Sequence, residues 1–272
     1  MKILTCNIRT SHANAKDQEN AWPMRKDLCN AVIRKQDPDI ACFQEMSEDQ
    51  FFDIEKGLPE YRFYGMADSV AGRRPVNTIF WRAEAFDLVS AGGYWLSERP
   101  HVPGSKSWES ACIRLANWVR LTERSSGAEF RVVNTHLDHV SLAAQEKQAE
   151  LISEDAAAYP ETYPQLLTGD MNVDATYPAM DAFRAGGWTD TYARVHKTED
   201  PGYTYHAFAG TAFDPETHRP FEGHPPLGKM DWILMRGIWT VADAAIVKDH
   251  DQDRYPSDHF FVSATVTAGG QA

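Results

Sequence analysis

The stretch QLLTGDMN, residues 165–172, carries acid and amide side chains directly behind a short apolar run. Residues 166–168 have the length and composition of a β-strand rather than of a helix. Asp170 and Asn172 therefore follow at the point where the strand should end. Because strand ends hold side chains rigidly around a shared cleft, this stretch predicts a site at one rim of a sheet.

The same arrangement recurs beside other apolar runs of the chain. The further residues in such positions are Asn7 after ILTC, Glu45 after IACFQ, His136 and Asp138 after VVNT, and Asp258 and His259 before FFVSATV. Carboxylates scattered over a surface would not keep to strand ends in this way. We therefore expect these segments to converge on one site.

The oxygen-bearing side chains favour a hard divalent cation at that site. Mg²⁺ takes oxygen ligands together with water and substrate phosphate. Such ligands are supplied by the carboxylates of Glu45, Asp170 and Asp258 and the amide oxygens of Asn7 and Asn172. Zinc is disfavoured because the sequence has neither an H-E-x-x-H segment nor a cysteine cluster, and a serine hydrolase because G-x-S-x-G is absent. The expected cofactor is Mg²⁺, with Mn²⁺ as the alternative.

Short apolar runs alternate with helical patterns in the first part of the chain and dominate the later part. The predicted strands are 3–6, 40–43, 78–81, 130–134, 166–168, 232–235 and 260–266. Helices are predicted over 22–35, from a cap at Ser141 to about 158, and over 177–185 with an end at Gly186. No linker or repeat divides the chain, so we expect one α/β domain spanning 1–272, with a long loop over 194–229 that is either functional or locally disordered.

Composition restricts the class of partner. The net charge of −12 disfavours a broad basic surface for nucleic acid but is compatible with a small phosphorylated substrate bound through metal.

The four cysteines form no C-x-x-C pair, which favours reduced thiols. The sequence has no membrane-length apolar stretch and no apolar leader before MKILTCN. A cytoplasmic protein without a membrane span is therefore expected, and its oligomeric state stays open.

Six motifs together resemble a known family. In order and spacing, TCNIR, FQEM, NTHLDH, TGDMN, KMDWIL and YPSDHF are similar to the motifs of the endonuclease/exonuclease/phosphatase superfamily, which includes deoxyribonuclease I. The similarity runs from Asn7 to His259. It implies a four-layer α/β/β/α sandwich, in which two mixed β-sheets lie face to face between helices and the active site occupies one end.

The resemblance also implies roles for the motif residues. Glu45 would bind the principal metal ion, assisted by Asn7 and Asp258. Asp170 and Asn172 would position or deprotonate the attacking water and hold a phosphoryl oxygen. The remaining catalytic candidates are His259, which would contact the phosphate or act as base, Asp231, which would orient His259, and His136, which would stabilise the phosphorane or serve the leaving group.

The chain departs from the family pattern in one place. Many relatives carry an acidic residue just before the strand predicted at 78–81, where it can hold the first catalytic histidine, but the segment here reads GRRPVN. Asn77 or Asp138 would have to take over this task for His136. Asp138 has an alternative task as well, because it can cap the helix that begins near Ser141.

Two further residues are candidates for substrate binding. Arg114 occupies the position of a phosphate-binding arginine in some relatives, and His206 lies in an aromatic segment that could line a pocket. Arg73 and Arg74 are expected to face water instead. The aromatic residues considered for the same pocket, with a core position as the commoner alternative, are Trp95, Trp108, Tyr203 and Tyr205.

The predicted activity is metal-dependent hydrolysis of a phosphoester by an activated water molecule. The expected substrate is a small phosphorylated metabolite, nucleotide or lipid-like molecule. The alternative is an endonuclease or exonuclease acting on DNA or RNA, which the acidic balance disfavours. A binding module without activity is also disfavoured, since Glu45, Asp170 and His259 are all present.

Overall fold

Two mixed β-sheets pack face to face, and helices cover their outer surfaces. The computed structural model describes residues 1–67, 76–199, 201–217, 219 and 226–269. Arg73 and Arg74 lie outside these residues. No helix of the described ranges has both the length and the apolar character that crossing a membrane requires.

The first sheet combines the beginning and the end of the chain. Its strands are β1 (Lys2–Asn7), β2 (Ile40–Gln44), β3 (Tyr61–Tyr64), β4 (Ile79–Arg82), β11 (Trp239–Val247) and β12 (Phe261–Ala268). They lie in the order β11-β12-β1-β2-β4-β3. β1 and β2 are parallel, whereas β12 is antiparallel to β1.

The second sheet comes from the middle of the chain. Its strands are β5 (Phe86–Trp95), β6 (Leu115–Glu123), β7 (Glu129–His136), β8 (Gln165–Asp170), β9 (Thr189–Asp190) and β10 (Asp231–Arg236). They lie in the order β5-β6-β7-β8-β10-β9. β7 and β8 are parallel, and β10 runs antiparallel to β8.

Helices provide the crossovers between the parallel strands. The helices are α1 (Asn14–Asp17), α2 (Trp22–Gln36), α3 (Glu48–Gly57), α4 (Leu142–Ala156), α5 (Pro178–Ala185) and α6 (Thr191–His196). α2 joins β1 to β2 and α4 joins β7 to β8, since a parallel pair requires such a connection. The Ser141 hydroxyl accepts a hydrogen bond from the Ala144 amide and caps α4 as predicted.

Three apolar clusters give the four-layer order. Residues of both sheets, among them Ile3, Val132 and Ile233, form the cluster between the sheets. One outer cluster includes Val32 of α2 and covers the first sheet, and the other includes Ile152 of α4 and covers the second. The α/β/β/α sandwich implied by the motifs is therefore confirmed.

All seven predicted strands and all three predicted helices are present, but further elements were missed. The missed strands are β3, β5, β6, β9 and β11, and the missed helices include α3 and α6. β3, β5, β9 and β11 are edge strands. An edge strand is partly exposed, so its sequence carries less apolar periodicity than a central strand.

The topology brings the predicted site residues to one rim. Asn7 ends β1 and Asp170 ends β8, both in parallel pairs. Asp231 begins β10, which runs in the opposite direction, so its amino end lies beside the carboxyl end of β8. β12 is antiparallel to β1, so His259, which lies just before β12, is at the same rim.

Candidate active site

Three neighbouring strands of the second sheet supply one side of the site. In the strand register His136 pairs with Asp170, and Asp170 pairs with Asp231. The His136 Nε2 atom lies 3.5 Å from Asp170 Oδ2. Asp170 is thus the central carboxylate of this row, and its Oδ1 atom accepts a hydrogen bond of 2.9 Å from the backbone amide of Asn172.

Asn7 links the first sheet to this row. Its Nδ2 atom donates to Asp170 Oδ2 at 2.9 Å and to Glu45 Oε1 at 3.2 Å. Its Oδ1 atom accepts the Arg9 amide at 3.0 Å. Asn7 therefore presents its amide nitrogen to the carboxylates, and binding a cation through Oδ1 would require the amide to rotate and release Arg9.

Glu45 lies directly after β2 in a left-handed backbone conformation, with φ of 60°. Few residues other than glycine adopt this region, and such positions occur preferentially at functional sites. The Oε2 atom accepts a hydrogen bond of 3.1 Å from the Thr10 amide. The half-buried carboxylate is therefore held by the last residue of β1 and by the turn that follows it.

His259 is held by a carboxylate of the opposite sheet. Its Nδ1 atom lies 2.9 Å from Asp231 Oδ2, and its Nε2 atom lies 3.9 Å from Asp170 Oδ2. The bond to Asp231 fixes the ring so that Nε2 faces the site. Asp231 therefore lies where it could orient His259, and this role stays a prediction.

The two histidines have opposite electrostatic environments. Burial lowers the pKa of His136 well below its usual value, and the positive charge of Arg114 acts in the same direction. Burial would also lower the pKa of His259, but the hydrogen bond and charge of Asp231 raise it to about 10. The surroundings of His259 therefore favour its cationic form, whereas those of His136 favour the neutral form.

The donor set fits a divalent cation. Ligand atoms of Glu45, His136 and Asp170 lie within 4.8 Å of one another, as do those of Asp170, Asp231 and His259. Burial and the charge of Asp231 raise the pKa of Asp170 to about 7. Asp231 Oδ1 is buried and has no hydrogen-bond partner among the described residues. Carboxylates this crowded favour a bound cation, and oxygen donors suit Mg²⁺ or Mn²⁺.

Asp258 reaches the same cleft from the segment before β12. Its Oδ2 atom lies 3.6 Å from Arg9 Nε, and its Oδ1 atom accepts a hydrogen bond of 3.2 Å from the Ser257 hydroxyl. Burial raises the pKa of this carboxyl. Arg9 carries no role in the sequence-based prediction, although it stands inside the TCNIR motif, which is the signal that could have identified it.

A cleft of about 560 Å³ opens above these carboxylates. Its walls include the predicted residues Arg114 and Asn172 and three residues with no predicted role, Lys16, Cys112 and His139. Arg114 Nη2 lies 3.2 Å from His139 Nδ1, while Arg114 Nε is buried without a hydrogen-bond partner in the described part of the chain. The cleft therefore combines basic side chains with carboxylates, although the whole chain is acidic.

His206 does not line the cleft, and its predicted contact with substrate is wrong. The residue is fully buried, and its Nδ1 atom accepts a hydrogen bond of 3.1 Å from the Gly210 amide. The ring packs 4.0 Å from that of Phe260. The preceding residue, Tyr205, faces the cleft instead, with its ring 5.2 Å from that of His259.

The task predicted for Asn77 or Asp138 is performed by neither of them. The Asn77 amide donates to the Leu115 carbonyl. Asp138 accepts hydrogen bonds from backbone amides that precede α4, among them that of Ser141 at 2.8 Å, while the cap of α4 is the Ser141 hydroxyl. Asp170 is the carboxylate that lies beside the His136 ring.

Comparison with known proteins gives matches over most of the chain. The sequence model of the Endonuclease/Exonuclease/phosphatase family matches residues 4–259. The structure of an endonuclease/exonuclease/phosphatase from Bacteroides vulgatus is 28% identical and covers 98% of each chain, with a TM-score of 0.84. That of a mannosyl-6-phosphatase from Bacteroides thetaiotaomicron is 27% identical and covers 98% of this chain and 99% of its own, with a TM-score of 0.83.

A curated relative matches a smaller region. The CCR4-Not complex 3'-5'-exoribonuclease subunit Ccr4 of Aspergillus oryzae is 26% identical over 165 residues, which are 53% of this chain and 22% of that protein. The chain spans about a quarter of the length of the curated relatives of this kind.

Proposed function

Because this chain belongs to the Endonuclease/Exonuclease/phosphatase family, whose members hydrolyse phosphoesters, we propose that it is a Mg²⁺-dependent phosphatase of a small phosphorylated molecule. The observation that carries the proposal is the convergence of Glu45, His136, Asp170 and His259 at one rim. Two sheets contribute to this cluster, so its assembly is a property of the fold.

Glu45 is the principal metal ligand in this proposal. Asp258 and Asn7 assist Glu45 in binding the metal ion. Asn7 does so after rotation of its side-chain amide. A bound Mg²⁺ supplies charge that stabilises the phosphoryl oxygens and lowers the pKa of a water molecule. Asp170 and Asn172 would position the attacking water beside the phosphorus.

The two histidines take different tasks because their charges differ. His259 is held cationic by Asp231 and donates from Nε2 to a phosphoryl oxygen, where negative charge accumulates in the transition state. The surroundings of His136, which include the positive charge of Arg114, favour its neutral form, and this suits contact with the leaving group. With these contacts, hydrolysis needs no covalent intermediate between the protein and the phosphoryl group.

A compact phosphomonoester fits the distribution of charge. Arg9, Lys16, Arg114 and His139 line the cleft, and the Nε atom of Arg114 is a buried donor without a partner among the described residues. Such a donor is suited to an anionic oxygen. The net charge of −12 disfavours a long polyanion outside the cleft. The similar mannosyl-6-phosphatase favours a sugar phosphate such as mannose 6-phosphate.

An exonuclease is the second candidate, and the match to the Ccr4 subunit favours it. A substrate screen separates the two. The purified protein is incubated with sugar phosphates, nucleotides and short oligonucleotides in Mg²⁺, in Mn²⁺ and in chelator. Release of inorganic phosphate from a sugar phosphate, lost with chelator, supports the proposal. Shortening of oligonucleotides without hydrolysis of small monoesters would replace it by the second candidate.

A further inference from the structure

Arg25 of α2 is a buried cation whose hydrogen bonds go to backbone carbonyls. The residue is 3% exposed. Its guanidinium donates to the carbonyls of Asn20 at 2.8 Å, Ile8 at 2.7 Å, Arg9 at 2.6 Å and Pro256 at 2.8 Å. Burial lowers the pKa of Arg25. No carboxylate of the described residues forms an ion pair with Arg25, and a buried cation is costly unless other groups compensate its charge, as the four carbonyls do here.

The carbonyls of Ile8 and Arg9 belong to the turn that follows β1. Arg9 has a φ of 51°, a left-handed conformation. In this turn the Arg9 amide donates to Asn7 Oδ1, and the Thr10 amide donates to Glu45 Oε2. The path of the turn therefore sets the positions of both side chains at the cation site.

The Pro256 carbonyl belongs to a different part of the site. Pro256 stands two residues before Asp258, which lines the same cleft as Glu45. A single Nη1 atom of Arg25 bonds both to Ile8 and to Pro256. Arg25 thus joins the segment that carries Asn7 to the segment that carries Asp258.

Gln50 of α3 holds the same turn from another direction. Its Nε2 atom donates to the Arg9 carbonyl at 2.8 Å, and its Oε1 atom accepts the amides of Ser11 at 3.1 Å and Ser47 at 2.9 Å. Gln50 is fully buried as well. Two buried side chains from different helices therefore restrain the Ile8–Arg9 turn.

We propose that Arg25 is a positioning residue for the cation site, because it holds the turn after β1 and the segment before Asp258 at a fixed separation. This inference rests on the proposed metal-dependent function. Arg25 lies behind the ligands and does not bind the cation. Its loss therefore lowers the affinity for the cation by moving the carboxylates apart, in addition to any loss of stability.

The test measures cation affinity directly. Mn²⁺ binding to wild type, Arg25→Lys and Arg131→Lys is titrated by electron paramagnetic resonance or calorimetry, after circular dichroism has shown that each is folded. Lysine keeps the charge but cannot reach several carbonyls at once. Arg131 is an equally buried arginine of β7, bonded to Asp155 on the far side of the second sheet. It controls for general loss of packing.

We expect Arg25→Lys to weaken Mn²⁺ binding by about 10–100-fold, the range found for residues that support metal ligands. Arg131→Lys should retain wild-type affinity. Equal affinity of Arg25→Lys and wild type, or equal weakening in both variants, overturns the inference. If Arg25→Lys does not fold, Gln50→Ala loosens the same turn, and an unchanged affinity in that variant overturns it as well.

Failure of the proposed function gives a different result. If wild type binds no Mn²⁺, or if Glu45→Gln binds it as tightly as wild type does, the metal-dependent function itself is wrong. If Glu45→Gln loses binding and Arg25→Lys keeps it, only the role of Arg25 is wrong.

Discussion

His259 Nδ1 lies 2.9 Å from Asp231 Oδ2, although Asp231 begins a strand of the second sheet and His259 precedes a strand of the first. Both residues are buried. The pair therefore joins the two sheets at the rim where the other site residues converge. Its geometry leaves the Nε2 atom of His259 directed to the cleft.

Asp231→Asn should lower kcat by about 10–100-fold, because a residue that orients and charges a catalytic histidine contributes on this order. The fold should be retained, since asparagine has nearly the same volume. Phosphate release from the substrate found in the screen measures the effect. Asp243→Asn, at an exposed position of β11, is the matched control and should not change kcat. Wild-type kcat in Asp231→Asn would remove Asp231 from the mechanism.

Glu45→Gln should lower turnover by about 10³-fold or more, because the carboxylate that anchors the cation is lost while the shape is kept. Steady-state hydrolysis with increasing Mg²⁺ measures this change, and Mn²⁺ titration reports the accompanying loss of affinity. Glu55→Gln, on the exposed side of α3, should behave as wild type. Undiminished Mg²⁺-dependent hydrolysis by Glu45→Gln would contradict the assignment of the site.

Asp138→Ala should destabilise the fold by about 3 kcal/mol, because the hydrogen bonds that the buried Asp138 carboxylate accepts from several backbone amides and from the Ser110 hydroxyl would be lost. Asp138 accepts hydrogen bonds from the Ala111 amide at 2.8 Å and the Val140 amide at 3.0 Å, besides that of Ser141. Urea unfolding measures the difference. Asp87→Asn, in an exposed ion pair, should change stability by less than about 1 kcal/mol. An equal free energy of unfolding for the two variants would show that the hydrogen bonds of Asp138 do not stabilise the fold.

Lys229 and Asp190 form a fully buried ion pair of 2.5 Å, with the Lys229 Nζ atom 3.8 Å from the centre of the Trp232 ring. Lys229→Met should destabilise the fold by about 3–5 kcal/mol, because the Asp190 charge stays buried without its partner. The double variant Lys229→Met, Asp190→Asn should lose less than the sum of the two single losses. Strict additivity in urea unfolding would show that the pair is not coupled.

One thiol should react with an aromatic disulfide reagent in the native protein, and all four should react after denaturation. Cys112 is exposed, whereas Cys6, Cys29 and Cys42 are buried. Burial raises the pKa of Cys29 and of Cys42 to about 12, so both stay protonated and unreactive at neutral pH. Cys112→Ser should abolish the native reaction. Rapid reaction of more than one thiol without denaturant would contradict the packing of the core.

The local sequence was sufficient for the central strands and for the identity of most site residues. β1, β2 and β8 are short apolar runs buried on both faces, a pattern that neighbouring residues establish by themselves. The polar site residues lie at the ends of these strands. They converge because these strand ends lie at the same rim of the two sheets. The edge strands β5 and β11 were missed because their partly exposed sequences lack this pattern.

Tertiary structure alone decided which side chains meet and which way they face. Asn7 and Asp170 are 163 residues apart, and only the packing of the two sheets shows that the Asn7 amide nitrogen lies between carboxylates. Tyr205 and His206 are consecutive in an extended segment paired with His259, so their side chains point in opposite directions. The aromatic segment that contains them made both residues candidates for the pocket, with a core position as the alternative for Tyr205. Neighbouring side chains of an extended segment point to opposite faces, so only one of the two residues can face the cleft. The register of the segment places Tyr205 at the cleft and His206 in the core.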